Sequence, residues 1–195
     1  MMQRILFPAF LLLVLIGSGS NVEADDWDDA DLNVRRLAPD TFFDLSQEII
    51  SELNLRGCRV PQSYYAGPIA KPHNVINGEF AKRGQIDWAV LCSKNRVSSI
   101  LVFWRGSPKN VSELASDPDR EWLVGGKDND GEYIAYNREI EVITQKTLRT
   151  DYKDFLEPEP PPIDHEGIME RDDKGDVFYY YYEGKWWALV PKFWD

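Results

Sequence analysis

The spacing of hydrophobic and polar residues changes several times along this chain, and the changes mark out its elements. Between residues 40 and 55, Phe42, Leu45, Ile49 and Leu53 recur at intervals of three and four, the period of one helix face. Asp40 or Thr41 can cap the start of that helix, and Gly57 lies just past its end. From residue 74 onward, β-branched and aromatic residues bounded by turn signals predict strands over 74–80, 86–93 and 98–105. Residues 106–120 read as a polar connection. Short strands follow near 121–124 and 132–136, separated by a glycine-rich turn, and another covers 139–144. Residues 146–155 read as a short helix. Residues 177–182 and 185–190 alternate around Glu183 and Gly184, the pattern of a hairpin.

Composition sets the remaining stretches apart. The leader 25–39 is acidic and reads as flexible, and 61–72 is a loop rich in Tyr, Pro and Gly. Residues 157–163 carry four prolines, which lack the donor a helix or central strand needs, so they form a stiff, extended connector. A surface crossover accounts for this segment more simply than a proline-rich recognition ligand does. The fold expected is α+β: a mainly antiparallel sheet with an N-terminal amphipathic helix packed on it, in a single globular domain over 40–195.

Before the leader, Arg4 precedes an apolar run from Ile5 to Ile16, then small residues and Val22-Glu23-Ala24. This predicts a secretory signal peptide over 1–24 cleaved after Ala24. The run is shorter than the roughly 18 apolar residues a spanning helix needs and is interrupted by Pro8. The mature chain is therefore expected to be secreted or periplasmic, without membrane insertion.

That compartment bears on the two cysteines, Cys58 and Cys92. An oxidising environment favours joining them, and closing a loop of about thirty residues is worth roughly 3 kcal/mol on the chain-entropy view; two buried free thiols are the alternative. The net charge of −11 argues against nucleic acid and anionic membranes as partners. Solubility is its simplest use, and a cationic protein is the partner it would suit.

Numbered from Glu79, the segment entering the second strand has the layout of a calcium loop: Glu79 at position 1, Gly84 at 6 and Asp87 at 9. Ala81 and Arg83 occupy positions 3 and 5, which removes one oxygen and adds a positive charge. Gly78, Phe80, Gly84, Asp87, Ala89 and Val90 follow the pattern of an FG-GAP or VCBS-type β-propeller repeat, and residues 76–106 resemble one such unit. In that family the loop acids bind calcium; here the guanidinium of Arg83 is expected where the ion would be, pairing with Glu79 and Asp87, unless it simply points into water. A closed ring needs at least four blades of about 40 residues, and the acidic turns at 128–131 and 170–176 are only partial echoes of the unit.

Candidate chemistry is sparse. His73 and the run Asp164-His165-Glu166 have no recognised metal-ligand spacing, so no metal or other cofactor is predicted. A histidine that orders the connector by hydrogen bonds is preferred. There is no nucleophile elbow, phosphate loop or dinucleotide glycine pattern. Asn110-Val111-Ser112 is an N-glycosylation acceptor in a eukaryotic secretory pathway. In the C-terminal hairpin, alternation sends Phe178, Tyr180 and Tyr182 to one face and Tyr179 and Tyr181 to the other, with Trp186 and Trp187 on opposite faces. One face should be core. Tyr179, Tyr181, Trp186 and Trp187 are the binding candidates if the other lies open; a second layer over both faces is the alternative.

The function expected is that of a non-enzymatic binding or interaction domain for a cationic protein or a cell-envelope glycan. The alternative is a secreted hydrolase with an acidic or metal-assisted site near Asp164, His165 and Glu166.

Overall fold

A computed structural model describes residues 26–64, 71–128 and 131–192. The predicted signal peptide, part of the 61–72 loop and the centre of the 128–131 turn lie outside the described residues. The helices are α1 (Asp26–Asn33) and α2 (Gln47–Arg56). The strands begin with β1 (Arg36–Leu37), β2 (Val60–Pro61), β3 (Val75–Gly78), β4 (Asp87–Lys94), β5 (Val97–Phe103) and β6 (Val111–Pro118). They continue with β7 (Leu123–Asp128), β8 (Gly131–Tyr136), β9 (Glu139–Ile143), β10 (Leu156–Glu157), β11 (Gly167–Asp172), β12 (Gly175–Tyr182) and β13 (Lys185–Pro191).

Every strand pairing is antiparallel. The larger sheets have the orders β3-β4-β5-β6 and β10-β13-β12-β11-β9; β1-β2 and β7-β8 are separate ribbons. The first sheet is a simple meander, and its two faces feed two cores. Val90, Cys92, Leu101 and Phe103 point to one side and pack with Ile49, Ile50 and Leu53 of α2. Ala89, Leu91, Ile100 and Val102 point to the other side and pack with Ile140, Ile168, Tyr179 and Trp186 of the second sheet. Strand alternation alone produces this division. The far face of the second sheet carries Phe178, Tyr180 and Leu189, covered by Leu148, Leu156 and Ile163 from the segment between β9 and β11. The layers are therefore helix, sheet, sheet and irregular crossover.

Cys58 and Cys92 are joined, with their Cα atoms 5.3 Å apart. The bridge ties the end of α2 to β4, and Arg59 and Ser93 beside it exchange two backbone hydrogen bonds of 2.9 and 2.7 Å. Gly57 stops α2 in the left-handed region at φ 74°, its N–H reaching the carbonyls of Leu53 and Asn54.

Between the two sheets lies a buried charge. Arg138 has no exposed side-chain surface and pairs with Glu170 of β11 at 2.6 Å. Its other donors reach Ser98 O and Oγ, both at 2.8 Å on β5, and the Ala115 carbonyl of β6 at 2.5 Å. The indole of Trp122 lies 4.1 Å from the guanidinium carbon. Glu170 also accepts from the Tyr179 hydroxyl at 2.8 Å. Burial raises the Glu170 carboxyl above its ordinary range, and the charge of Arg138 only partly offsets this.

Several expectations need correction. The acidic leader is not loose from residue 26 on: it forms α1 and β1, because Asp31 is buried against Arg36 and Arg96. Neither Asp40 nor Thr41 caps the helix, which starts after Ser46, whose Oγ accepts from Ile49 N at 3.3 Å. Phe42 and Leu45 still reach the core, but through separate turns over 39–45. The polar connection 106–120 contains β6, an edge strand that sends a partly buried Val111 to the α2 core and a partly buried Leu114 to the core between the sheets. Residues 146–155 are a broken succession of helical turns, and β11 occupies part of the stretch read as an acidic turn.

Candidate functional site

A concavity among the described residues lies away from the aromatic hairpin. A cavity of about 1210 Å³ opens between α1, the segment after β2 and the β7-β8 ribbon. Its walls carry Trp27 and Ala30 of α1, Val34, Tyr64, His73, and Tyr133 and Ile134 of β8. The glycine pair Gly125 and Gly126 makes this shape possible. A Cβ on Gly126 would lie 2.4 Å from the Tyr133 ring, and one on Gly125 would lie 3.8 Å from the Trp27 indole. Tyr133 and Tyr64 stack with centroids 4.9 Å apart.

His73 is held firmly. Its backbone N–H donates to Gln62 Oε1 and the Gln62 amide donates to its carbonyl, both at 3.0 Å. The ring Nε2 accepts from Ser63 N–H at 2.8 Å. A neutral ring that accepts at Nε2 carries its proton at Nδ1, and Nδ1 is buried without a partner. Charges at the cavity rim balance, with Asp26 and Glu132 against Arg35 and Lys127. Nothing in the rim selects a strongly charged ligand.

The residues singled out in the sequence fall elsewhere. Asp87 is fully buried and holds its loop, but through other partners than expected. Its carboxylate accepts from Ala81 N at 3.0 Å, Gln85 Nε2 at 2.8 Å and Arg105 N at 2.7 Å. Arg83 is exposed and, among the described residues, pairs with neither Glu79 nor Asp87. Two backbone N–H donors and a side-chain amide thus occupy three of the roughly four acceptor sites of this carboxylate. The Glu79 N–H is taken by Glu166 at 2.9 Å.

Asp164 and His165 stay close, with Asp164 Oδ1 3.8 Å from His165 Nε2, while the Glu166 carboxylate turns away from both. The Asp164 side chain is 73% exposed, while His165 is buried. The His165 ring stacks on Tyr180 at 4.3 Å, with Nδ1 2.7 Å from the Glu166 carbonyl and Nε2 2.9 Å from the Tyr181 carbonyl. The Glu166 carboxylate is turned to the 79–86 loop. Both histidine nitrogens are thus committed to the main chain, which suits a residue ordering the connector better than a catalytic base. Tyr180 takes part in the same arrangement: its hydroxyl accepts from Asp164 N at 2.9 Å, and burial pushes its phenol up to about 12. Among the described residues no group of three or more His, Cys, Asp or Glu side chains could hold a metal ion.

The hairpin has no open aromatic face. Tyr179, Tyr181 and Trp186 sit between the sheets, where Trp104 meets Tyr181 at 4.7 Å and Trp186 at 5.5 Å. Trp187 and Tyr182 pack at the edge of the outer core, and Lys185 caps Trp187 at 4.7 Å. The second layer covers what alternation alone would leave exposed. Trp186 and Trp187 do lie on opposite faces. Asn110 is exposed, just before β6.

Sequence reasoning missed the cavity because its walls come from four separated segments. The one local signal was Gly125-Gly126, which was read as a turn and is a strand floor. No protein-family description, curated protein or solved structure matches the chain. No helix among the described residues is long and apolar enough to cross a membrane.

Proposed function

We propose that this is a non-enzymatic binding domain of the secretory pathway or periplasm, and that its ligand sits in the cleft between α1 and the β7-β8 ribbon. The observation that carries the reading is the cleft itself: about 1210 Å³, walled by aromatic rings over a glycine floor. Ligand sites are typically concave and largely apolar, with a few fixed polar groups. Here His73 is such a fixed group, held in the wall by Gln62 and Ser63. Balanced rim charges favour an uncharged ligand with apolar ring faces and oxygen acceptors, the chemistry of a neutral glycan. The Cys58–Cys92 bridge fits an oxidising compartment.

Titration of neutral oligosaccharides against the mature protein, followed by tryptophan fluorescence and calorimetry, tests this. Saturable binding weakened about tenfold by Tyr133→Ala is expected. If no neutral oligosaccharide binds, or the variant binds equally well, the reading fails.

A further inference from the structure

The wall formed by α1 is attached differently from everything else around the cleft. Its only buried residue is charged: Asp31. Of the apolar residues in Asp26–Asn33, Leu32 is 63% exposed, and Trp27 and Ala30 are half-buried at the cavity. Eight residues are too few for a helix to persist on its own in water. α1 therefore exists as a helix because it is docked, and charge supplies much of the docking.

The attachment is specific. Asp31 Oδ1 pairs with Arg36 at 2.8 Å and Oδ2 with Arg96 at 3.1 Å, while the Asp31 carbonyl accepts from Arg36 Nη1 at 2.9 Å. Arg36 is itself anchored to Asp119, which is fully buried, at 2.7 Å, and Ser93 Oγ donates to the same Asp119 oxygen at 2.5 Å. At the other end of the helix, Asp28 pairs with Arg120. The inner part, Arg36 with both Asp119 and Asp31, is shielded: the three side chains are 15%, 0% and 5% exposed. The outer part is open to ions: the Arg96 side chain is 50% exposed, and Asp28 and Arg120 are 49% and 42% exposed. Exposed pairs of this kind weaken with salt, whereas buried ones do so far less.

We infer that α1 is a charge-latched wall of the cleft. When its outer ion pairs are screened or competed for it loosens and swings out about the shielded Asp31–Arg36 pair, and it folds back to close over a ligand. This rests on the reading of the cleft as a binding site. It adds that access is governed by ionic strength even when the ligand carries no charge, and that a polycation competing for the exposed Asp28 would open the cleft. Such local opening is a sub-global unfolding event and leaves the sheets intact.

Amide hydrogen exchange on the intact protein reads the latch directly. Raising NaCl from about 0.05 to 0.5 M should speed exchange over residues 26–33 about fivefold, with α2 and β4 unchanged. Asp31→Asn should do the same at low salt. Arg96→Gln, which alters only the half-exposed partner, provides the test if Asp31→Asn folds poorly. Release of the uncharged dye N-phenyl-1-naphthylamine, measured alongside, should quicken in the same variants. Exchange in α1 that ignores both salt and the substitutions would overturn the latch. Failure of the dye and of neutral oligosaccharides to bind, with the exchange response intact, would instead overturn the cleft as a ligand site and leave the latch standing.

Discussion

The two N-terminal helices are of similar length and are held in opposite ways. α2 buries Ile49, Ile50 and Leu53 against β4 and β5, and its end is fixed by Cys58–Cys92. α1 buries no apolar side chain fully and depends on Asp31 and Asp28. Apolar burial and a covalent link are insensitive to salt and mild changes of pH, so α2 behaves as part of the sheet. Charge pairs at a surface are adjustable, so α1 can be both a wall and a moving part. Where a protein needs permanence it uses the first kind of attachment, and where it needs access the second serves.

The comparison can be broken most severely at the bridge. Replacing both Cys58 and Cys92 by Ala should lower stability by about 3.5 kcal/mol in chemical unfolding monitored by far-UV dichroism. A loss well under 1 kcal/mol would mean that the apolar contacts alone hold α2.

A smaller effect is expected from the buried pair that belongs to neither helix. The Glu170 carboxyl is raised in the fold by burial, so its neutral form is favoured there over the unfolded chain. The folded state then binds more protons than the unfolded state between the ordinary carboxylate range and the raised value. The contribution is fully present below the ordinary value and is lost as pH rises through the raised one. Glu170→Gln should flatten that part of the stability-pH profile, read as urea midpoints at successive pH values. An unchanged slope would assign the effect to another group.

The smallest effect is expected at Arg83, an exposed charge with no partner among the described residues. Arg83→Ala should leave the melting temperature within the shift that about 0.5 kcal/mol produces, with or without calcium. A larger loss would restore the loop ion pair that the sequence suggested.

Much of the scaffold could be read in advance because it is written locally. Alternation around Glu183-Gly184 marks the final hairpin, and the core strands β4 and β5 announce themselves by β-branched residues. The bridge followed from the compartment implied by the N-terminal run. What escaped is non-local. β6 looks polar because it is an edge strand that gives each core only a single, partly buried side chain, Val111 or Leu114, and α1 looks like a solvated tail until Arg36 and Arg96 pair with Asp31. The hairpin's aromatic residues suggested a surface because sequence does not show that a second sheet lies against Tyr179, Tyr181 and Trp186. Similarly, Asp87 reads as a ligand position paired with Arg83, but its partners are two main-chain N–H groups and the Gln85 amide.

Arg138 also constrains how the molecule comes together. Its guanidinium is satisfied by β5, β6 and β11 at once, so neither large sheet can accommodate it alone. A pairing of the sheets that buried Arg138 without these partners would strand a dehydrated cation, a condition that costs several kcal/mol. Incorrectly paired sheets are thereby penalised by one misplaced charge.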